Sequence, residues 1–131
     1  MIIGIDHIEL IVRDAEEFVE FYQKMGFKLL RWTEHHGRSA ELQLPGENQP
    51  IFEIHTVTGE ENPGINHISF RCQDIESTYA ALTANGLPMT KPKLSDTGRK
   101  NAAMRDPDGW RLQFSDSQRG EIPGNQEVSP A

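Results

Sequence analysis

Two histidines, His7 and His67, stand sixty residues apart, and so do a glutamate, Glu53, and a glutamine, Gln113. Neutral imidazole nitrogens with one carboxylate suit Zn, Ni, Co or Fe(II). A set of two His and one carboxylate also leaves coordination positions open for a reacting molecule. The amide oxygen of Gln113 can add a weaker fourth contact. What joins the four is an internal repeat. Shifted by sixty, Gly4, Ile5, His7, Ile8, Asp14, Glu16 and Gly26 land on Gly64, Ile65, His67, Ile68, Asp74, Glu76 and Gly86. The register still holds later, where Phe52-Glu53-Ile54 falls on Leu112-Gln113-Phe114.

The elements that must position these side chains follow from pattern. Ile5 to Arg13 alternates apolar and polar, which predicts a half-buried strand. Ile8, Leu10 and Val12 share one side, so His7, Glu9 and Ile11 share the other. Asp14 predicts a helix cap, with Glu17 in capping-box position; Phe18, Phe21, Tyr22 and Met25 are the expected inner stripe, and Gly26 the stop. Strands are expected near Lys28 to Glu34, Ser39 to Leu44 and Ile51 to Thr56, with His35 and His36 exposed in a loop. After a polar connector from Thr58 to Gly64 the plan repeats. A strand over Asn66 to Cys72 precedes a helix over Ile75 to Asn85 capped by Asp74. Strands near Lys91 to Ser95, Lys100 to Arg105 and Arg111 to Ser115 close the second half, the last two joined by the turn Asp106-Pro107-Asp108-Gly109. The expectation is one α+β domain over residues 1–116, two βαβββ modules in tandem (about 4–57 and 64–116), then a polar tail over 117–131. If helices cover the apolar sheet faces, the opposite faces form a cup. His7, Glu53, His67 and Gln113 then look into it, with Arg71 and Arg111 on the same side and His55 at its margin.

Composition narrows the partners. The chain has 131 residues, 36% hydrophobic, and a net charge of −7 from 13 basic and 20 acidic residues. That balance argues against nucleic acid or an anionic membrane. Lys91, Lys93, Arg99, Lys100 and Arg105 are read as a solvated basic hairpin. The single cysteine, Cys72, excludes an intrachain disulfide and alternates with Ile68 and Phe70, as a small buried hydrophobe does. No apolar run nears the roughly 18 residues of a membrane span. Strand-like sequence from Ile2 leaves no room for a signal peptide, so a cytoplasmic location is expected.

Asp6-His7-Ile8-Glu9-Leu10, Asn66-His67-Ile68-Ser69-Phe70 and Asp106-Pro107-Asp108-Gly109-Trp110-Arg111-Leu112-Gln113-Phe114 together resemble the vicinal oxygen chelate superfamily over about Gly4 to Asp116. That superfamily contains glyoxalase I, bleomycin-resistance proteins and extradiol dioxygenases. The resemblance implies ligands from the first and fourth strands of each module, at His7, Glu53, His67 and the place held by Gln113. It implies one divalent ion (Zn, Ni, Co, Mn or Fe(II)), open positions that take neighbouring oxygens of a small-molecule substrate, and a homodimer with sites near the interface. Two departures stand out. Gln113 occupies the second module's usual carboxylate position, and Trp110 replaces the more usual Asn. Isomerisation of the glyoxalase type needs a carboxylate base, which leaves Glu53 alone for the task. Glutathione-using members often carry Arg four residues after the first His; Ile11 stands there, with Arg13 on the same side parity.

The favoured expectation is therefore a metal-dependent lyase or isomerase of a small oxygen-rich molecule, with Glu53 as base and Arg71 and Arg111 receiving a substrate carboxylate. Two alternatives stay open. His67, His7 and Glu53 mirror the ligand triad of a ring-cleaving Fe(II) dioxygenase through the repeat. A metal-free binding protein of the bleomycin-resistance kind is the other.

Overall fold

The computed structural model describes residues 1–34, 37–95 and 98–116. The expectations for His35, His36 and the 117–131 tail lie outside the described residues. The first half runs β1 (Ile2–Val12), α1 (Ala15–Lys24), β2 (Lys28–Thr33), β3 (Ser39–Gln43) and β4 (Ile51–Thr56). The second runs β5 (Gly64–Cys72), α2 (Ile75–Ala84), β6 (Lys93–Leu94), β7 (Lys100–Arg105) and β8 (Arg111–Ser115). This is the α+β fold of repeated βαβββ modules. Two compact units emerge, one of His7–Asn66 and one joining Met1–Asp6 to the described residues from His67 onward. The chain passes from one to the other within β1.

In the first unit the strand order is β2-β3-β4-β1, with β4 antiparallel to β3 and parallel to β1. Parallel neighbours need a long crossover, and α1 with the β2–β3 hairpin supplies it. The second unit repeats the scheme as β6-β7-β8-β5, with β5 and β8 parallel. Here β6 is shorter than expected, reduced to Lys93–Leu94 behind Pro92, whose missing N–H suits an edge and not a longer ladder.

The helices start and stop as the repeat dictates. Asp14, in extended backbone, accepts a hydrogen bond from Glu16 N at 3.1 Å, and Asp74 accepts one from Ser77 N at 2.9 Å. Gly26 and Gly86, at φ +103° and +84°, end them in the left-handed region that favours glycine. A second cap comes from afar in each half. Thr56 Oγ1 accepts from Ala15 N at 2.9 Å, and Asp116 Oδ2 accepts from Ile75 N at 2.8 Å. In α1, Asp14 thus accepts from Glu16 N and not from the Glu17 N that a capping box would use, and Thr56 takes Ala15 N.

Each unit has its own apolar core between helix and sheet. In the first, Val12, Ala15, Val19, Phe27, Trp32, Ala40, Leu42 and Ile54 are buried. Tyr22, Phe27 and Phe52 add edge-on ring contacts at 5.1–5.2 Å through Phe27. The inner stripe of α1 differs from the expected one. Ala15 and Val19 are buried and Phe18 and Tyr22 pack against them, whereas Phe21 and Met25 are exposed. The buried set is one i, i+3, i+4, i+7 stripe; Phe21 and Met25 lie further round the helix. In the second core Cys72 packs with Ile75, Leu82, Met89, Ala102 and Phe114, and burial pushes its thiol pKa up, as expected for an inert cysteine.

Hydrogen bonds from Ser77 hold the Asp74 carboxyl below the usual aspartate range. A carboxyl lowered in the folded state contributes stability above its unfolded pKa and loses it as pH falls through the folded value. Asp74→Asn is therefore expected to flatten the loss of stability below about pH 4. Urea midpoints of both proteins across acid pH check this, and parallel profiles would contradict it.

Candidate metal centre and its carboxylate row

Strand pairing decides which side chains stand together. On β1 and β4, His7 faces Ile51, Glu9 faces Glu53, and Ile11 faces His55. On the other side of β4, β3 sets Glu41 beside Glu53 and Ser39 beside His55. Phe52 and Ile54 pack on the helix side, so alternation turns Ile51, Glu53 and His55 to the opposite face, together with His7, Glu9 and Ile11. Glu9, Glu53 and Glu41 then form a row across three strands. Arg31 on β2 extends it, its Nη1 donating to Glu41 Oε1 at 2.9 Å. A bulge between Leu29 and Arg31 makes this possible, since unbroken pairing would set Leu30 beside Glu41.

These positions are not an open cup wall. Glu53 is 2% exposed, Glu9 3% and Glu41 1%. Buried carboxylates are costly unless cations and donors attend them. Arg31 attends Glu41. His55 Nδ1 lies 3.5 Å from Glu9 Oε1, and its Nε2 lies 3.2 Å from the Glu61 carboxylate. Glu61 is fixed in turn by the backbone and hydroxyl of Thr58, each at 2.9 Å, which hold its carboxyl below the ordinary range. His55, expected only at the margin, is a buried link between Glu9 and this loop.

The second unit repeats the geometry with different chemistry. On β5 and β8, His67 faces Arg111, Ser69 faces Gln113, and Arg71 faces Ser115. Phe70, Leu112 and Phe114 pack on the helix side. His67 therefore stands to Gln113 as His7 stands to Glu53: neighbouring parallel strands, one face, two residues along. The row equivalent to Glu9–Glu53–Glu41 is Ser69–Gln113–Ala103, which carries no charge. Arg111 is exposed. Arg71 Nε and Nη2 donate to Asp6 Oδ1 at 3.3 and 2.8 Å, and Arg99 Nη2 donates to Asp6 Oδ2 at 3.0 Å. Arg99, expected in a solvated hairpin, is thus buried. Its partner lies 93 positions away, out of reach of any local pattern.

Each unit offers half of the expected ligand set, an imidazole and a carboxylate from the first, an imidazole and an amide from the second. The donor types fit a divalent ion. Among the described residues no three His, Cys, Asp or Glu side chains are gathered round one point. Two grooves lie along α1, of about 380 and 280 Å³, walled by residues such as Phe18, Phe21, Tyr22 and Arg13. Neither is lined by His7, Glu53, His67 or Gln113; the larger carries Arg13, Glu17, Glu20 and Lys24 beside its two phenylalanines, and no imidazole.

A family profile for the Glyoxalase/Bleomycin resistance protein/Dioxygenase superfamily matches residues 4–114. Similar curated proteins include "Glyoxylase I 4" of Arabidopsis thaliana, 24% identical over 85% of this chain and 69% of that protein. Lactoylglutathione lyase of Schizosaccharomyces pombe is 25% identical over 80% of this chain, which spans only 42% of that enzyme's length. Among solved structures, methylmalonyl-CoA epimerase of Streptomyces coelicolor has a TM-score of 0.70 at 20% identity, over 89% of this chain and 99% of that one. The Mycobacterium tuberculosis methylmalonyl-CoA epimerase scores 0.71 at 17% identity, over 88% of each chain. These structural likenesses speak for the fold. Among the described residues no helix is long and apolar enough to cross a membrane.

Proposed function

Because this chain belongs to the Glyoxalase/Bleomycin resistance protein/Dioxygenase superfamily, we propose that it is a metal-dependent lyase or isomerase of a small oxygen-rich substrate such as an α-hydroxycarbonyl or thiohemiacetal. His7, Glu53 and His67 are its ligands and Gln113 completes or loosens the set. The observation that carries this reading is the matched placement of His7 with Glu53 and of His67 with Gln113, on equivalent strands and faces of two repeated units. The row of Glu9, Glu53 and Glu41 adds support, since neighbouring carboxylates favour a cation beside them.

His7, Glu53 and His67, with Gln113, would hold a divalent ion that would supply Lewis-acid polarisation of substrate oxygens. Glu53 takes a proton from one substrate carbon and returns it to the adjacent carbon, while the hydroxyl proton on the first carbon's oxygen passes to the neighbouring carbonyl oxygen. Its burial excludes water from that transfer. Arg71 and Arg111 receive a substrate carboxylate, and a homodimer is the proposed assembly. With Ile11 where glutathione users often carry Arg, the proposal does not extend to glutathione adducts.

Mass spectrometry of untreated protein is expected to find close to one divalent ion per chain. Gln113→Glu is expected to tighten metal binding at least about tenfold, or 1.4 kcal/mol, by adding a charged ligand. Protein without metal after supplemented expression, with melting unmoved by EDTA, would overturn the reading in favour of sequestration. Unchanged affinity in Gln113→Glu would remove residue 113 from the ligand set.

A further inference from the structure

We propose that Arg71, mounted on Asp6 and Arg99, is a built carboxylate-binding subsite, which names the substrate of the reaction above as a carboxylic acid. The proposal rests on that reading for its link to catalysis but not for its binding chemistry. A guanidinium has five N–H donors and two edges that can grip a carboxylate in parallel. The Asp6 oxygen Oδ1 occupies the Nε/Nη2 edge of Arg71. The other edge, Nη1 with the remaining Nη2 proton, takes part in no hydrogen bond among the described residues, and the side chain is 26% exposed. It is the edge a second carboxylate can reach.

The mount is rigid because it is held from behind. Asp6 Oδ2 accepts from Arg99, and the side chains of Asp6 and Arg99 are 0% and 8% exposed. A guanidinium fixed in this way loses little further rotamer freedom when it binds, which favours affinity. Asp6 and Arg99 are accordingly positioning residues, and Arg71 is the one that touches ligand. Arg71 lies four residues from His67 on the same face of β5, about 13 Å along the strand. A molecule meeting both has its carboxylate several bonds away from its reacting oxygens.

Glutarate is the probe, titrated calorimetrically into protein as purified and after EDTA. Binding is expected in both, and Arg71→Met should weaken it about 10- to 100-fold, the loss of a charge-assisted bond. Lysine should act oppositely at the two arginines. Arg71→Lys stays weak because an ammonium has no fork, whereas Arg99→Lys keeps near wild-type binding by still donating to Asp6 Oδ2. Arg99→Met should weaken binding without touching ligand. If Arg99→Met fails to fold, Arg71→Met, at a partly exposed position, decides alone. Equal glutarate binding by wild type and Arg71→Met overturns the subsite, as does inorganic phosphate that displaces glutarate and binds more tightly. Arg71-dependent binding in a protein that never holds metal sustains the subsite and sinks the enzyme reading. Metal at full occupancy with binding indifferent to Arg71 does the reverse.

Discussion

Asp6→Ala is expected to lower the free energy of unfolding by about 3–5 kcal/mol, the cost of removing one partner from a buried ion pair. Wild-type Asp6 is 1% exposed and accepts from two guanidiniums, one through each oxygen. Without it Arg99 stays buried and Arg71 half-buried beside it, two like charges that have lost the carboxylate between them. Typical domains hold only about 5–15 kcal/mol in total, so the variant should sit close to its unfolding threshold. Exchanging Asp6 and Arg99 together for apolar residues should recover part of the loss, because no buried charge is then stranded at Arg99. Urea unfolding with a common slope measures both effects. An unchanged midpoint in Asp6→Ala would mean that water already reaches the pair.

On the proposed reading, Glu53→Gln is expected to cut turnover by about 10²- to 10⁴-fold, the usual contribution of a positioned general base, and to lower the protein's metal content. The amide matches the carboxylate in shape, so the core around it need not repack. It also removes one of three carboxylates from the Glu9–Glu53–Glu41 row and with it mutual repulsion. Melting of the metal-free variant beside metal-free wild type separates a chemical role from a loss of stability. Lost activity with unimpaired melting is the signature of a chemical role. A variant that keeps full turnover would take the base assignment away from Glu53.

Local periods carried most of the fold. The alternation around His7 and His67 placed both strands, and the Asp–Gly spacing from Asp14 to Gly26 and from Asp74 to Gly86 bracketed both helices, because caps and pleats act within a few residues. The inner face of α1 was misjudged for a different reason. Phe21 and Met25 are large and apolar, but address on the helix outranks size, and small Ala15 and Val19 take the buried line. The matched places of His7 with Glu53 and of His67 with Gln113 were legible through the repeat. Their surroundings were not. Glu41 reaches Glu53 only through the β3–β4 register, and Arg31 reaches Glu41 only through a one-residue bulge. Arg99 reads as one more surface cation until Asp6, far away in sequence, draws it inward.

The distant caps have a consequence for how the chain comes to exist. In both halves the donor and acceptor lie 41 positions apart, from Ala15 to Thr56 and from Ile75 to Asp116. On the ribosome the first turn of α1 cannot be latched until the chain has been translated past Thr56, nor that of α2 until past Asp116. Each half therefore locks as its last strand arrives, and a nascent chain halted short of either latch has only the local Asp14 or Asp74 cap at the helix entrance. The latch stands at the same place in both halves, closed by a hydroxyl oxygen in one and a carboxylate oxygen in the other.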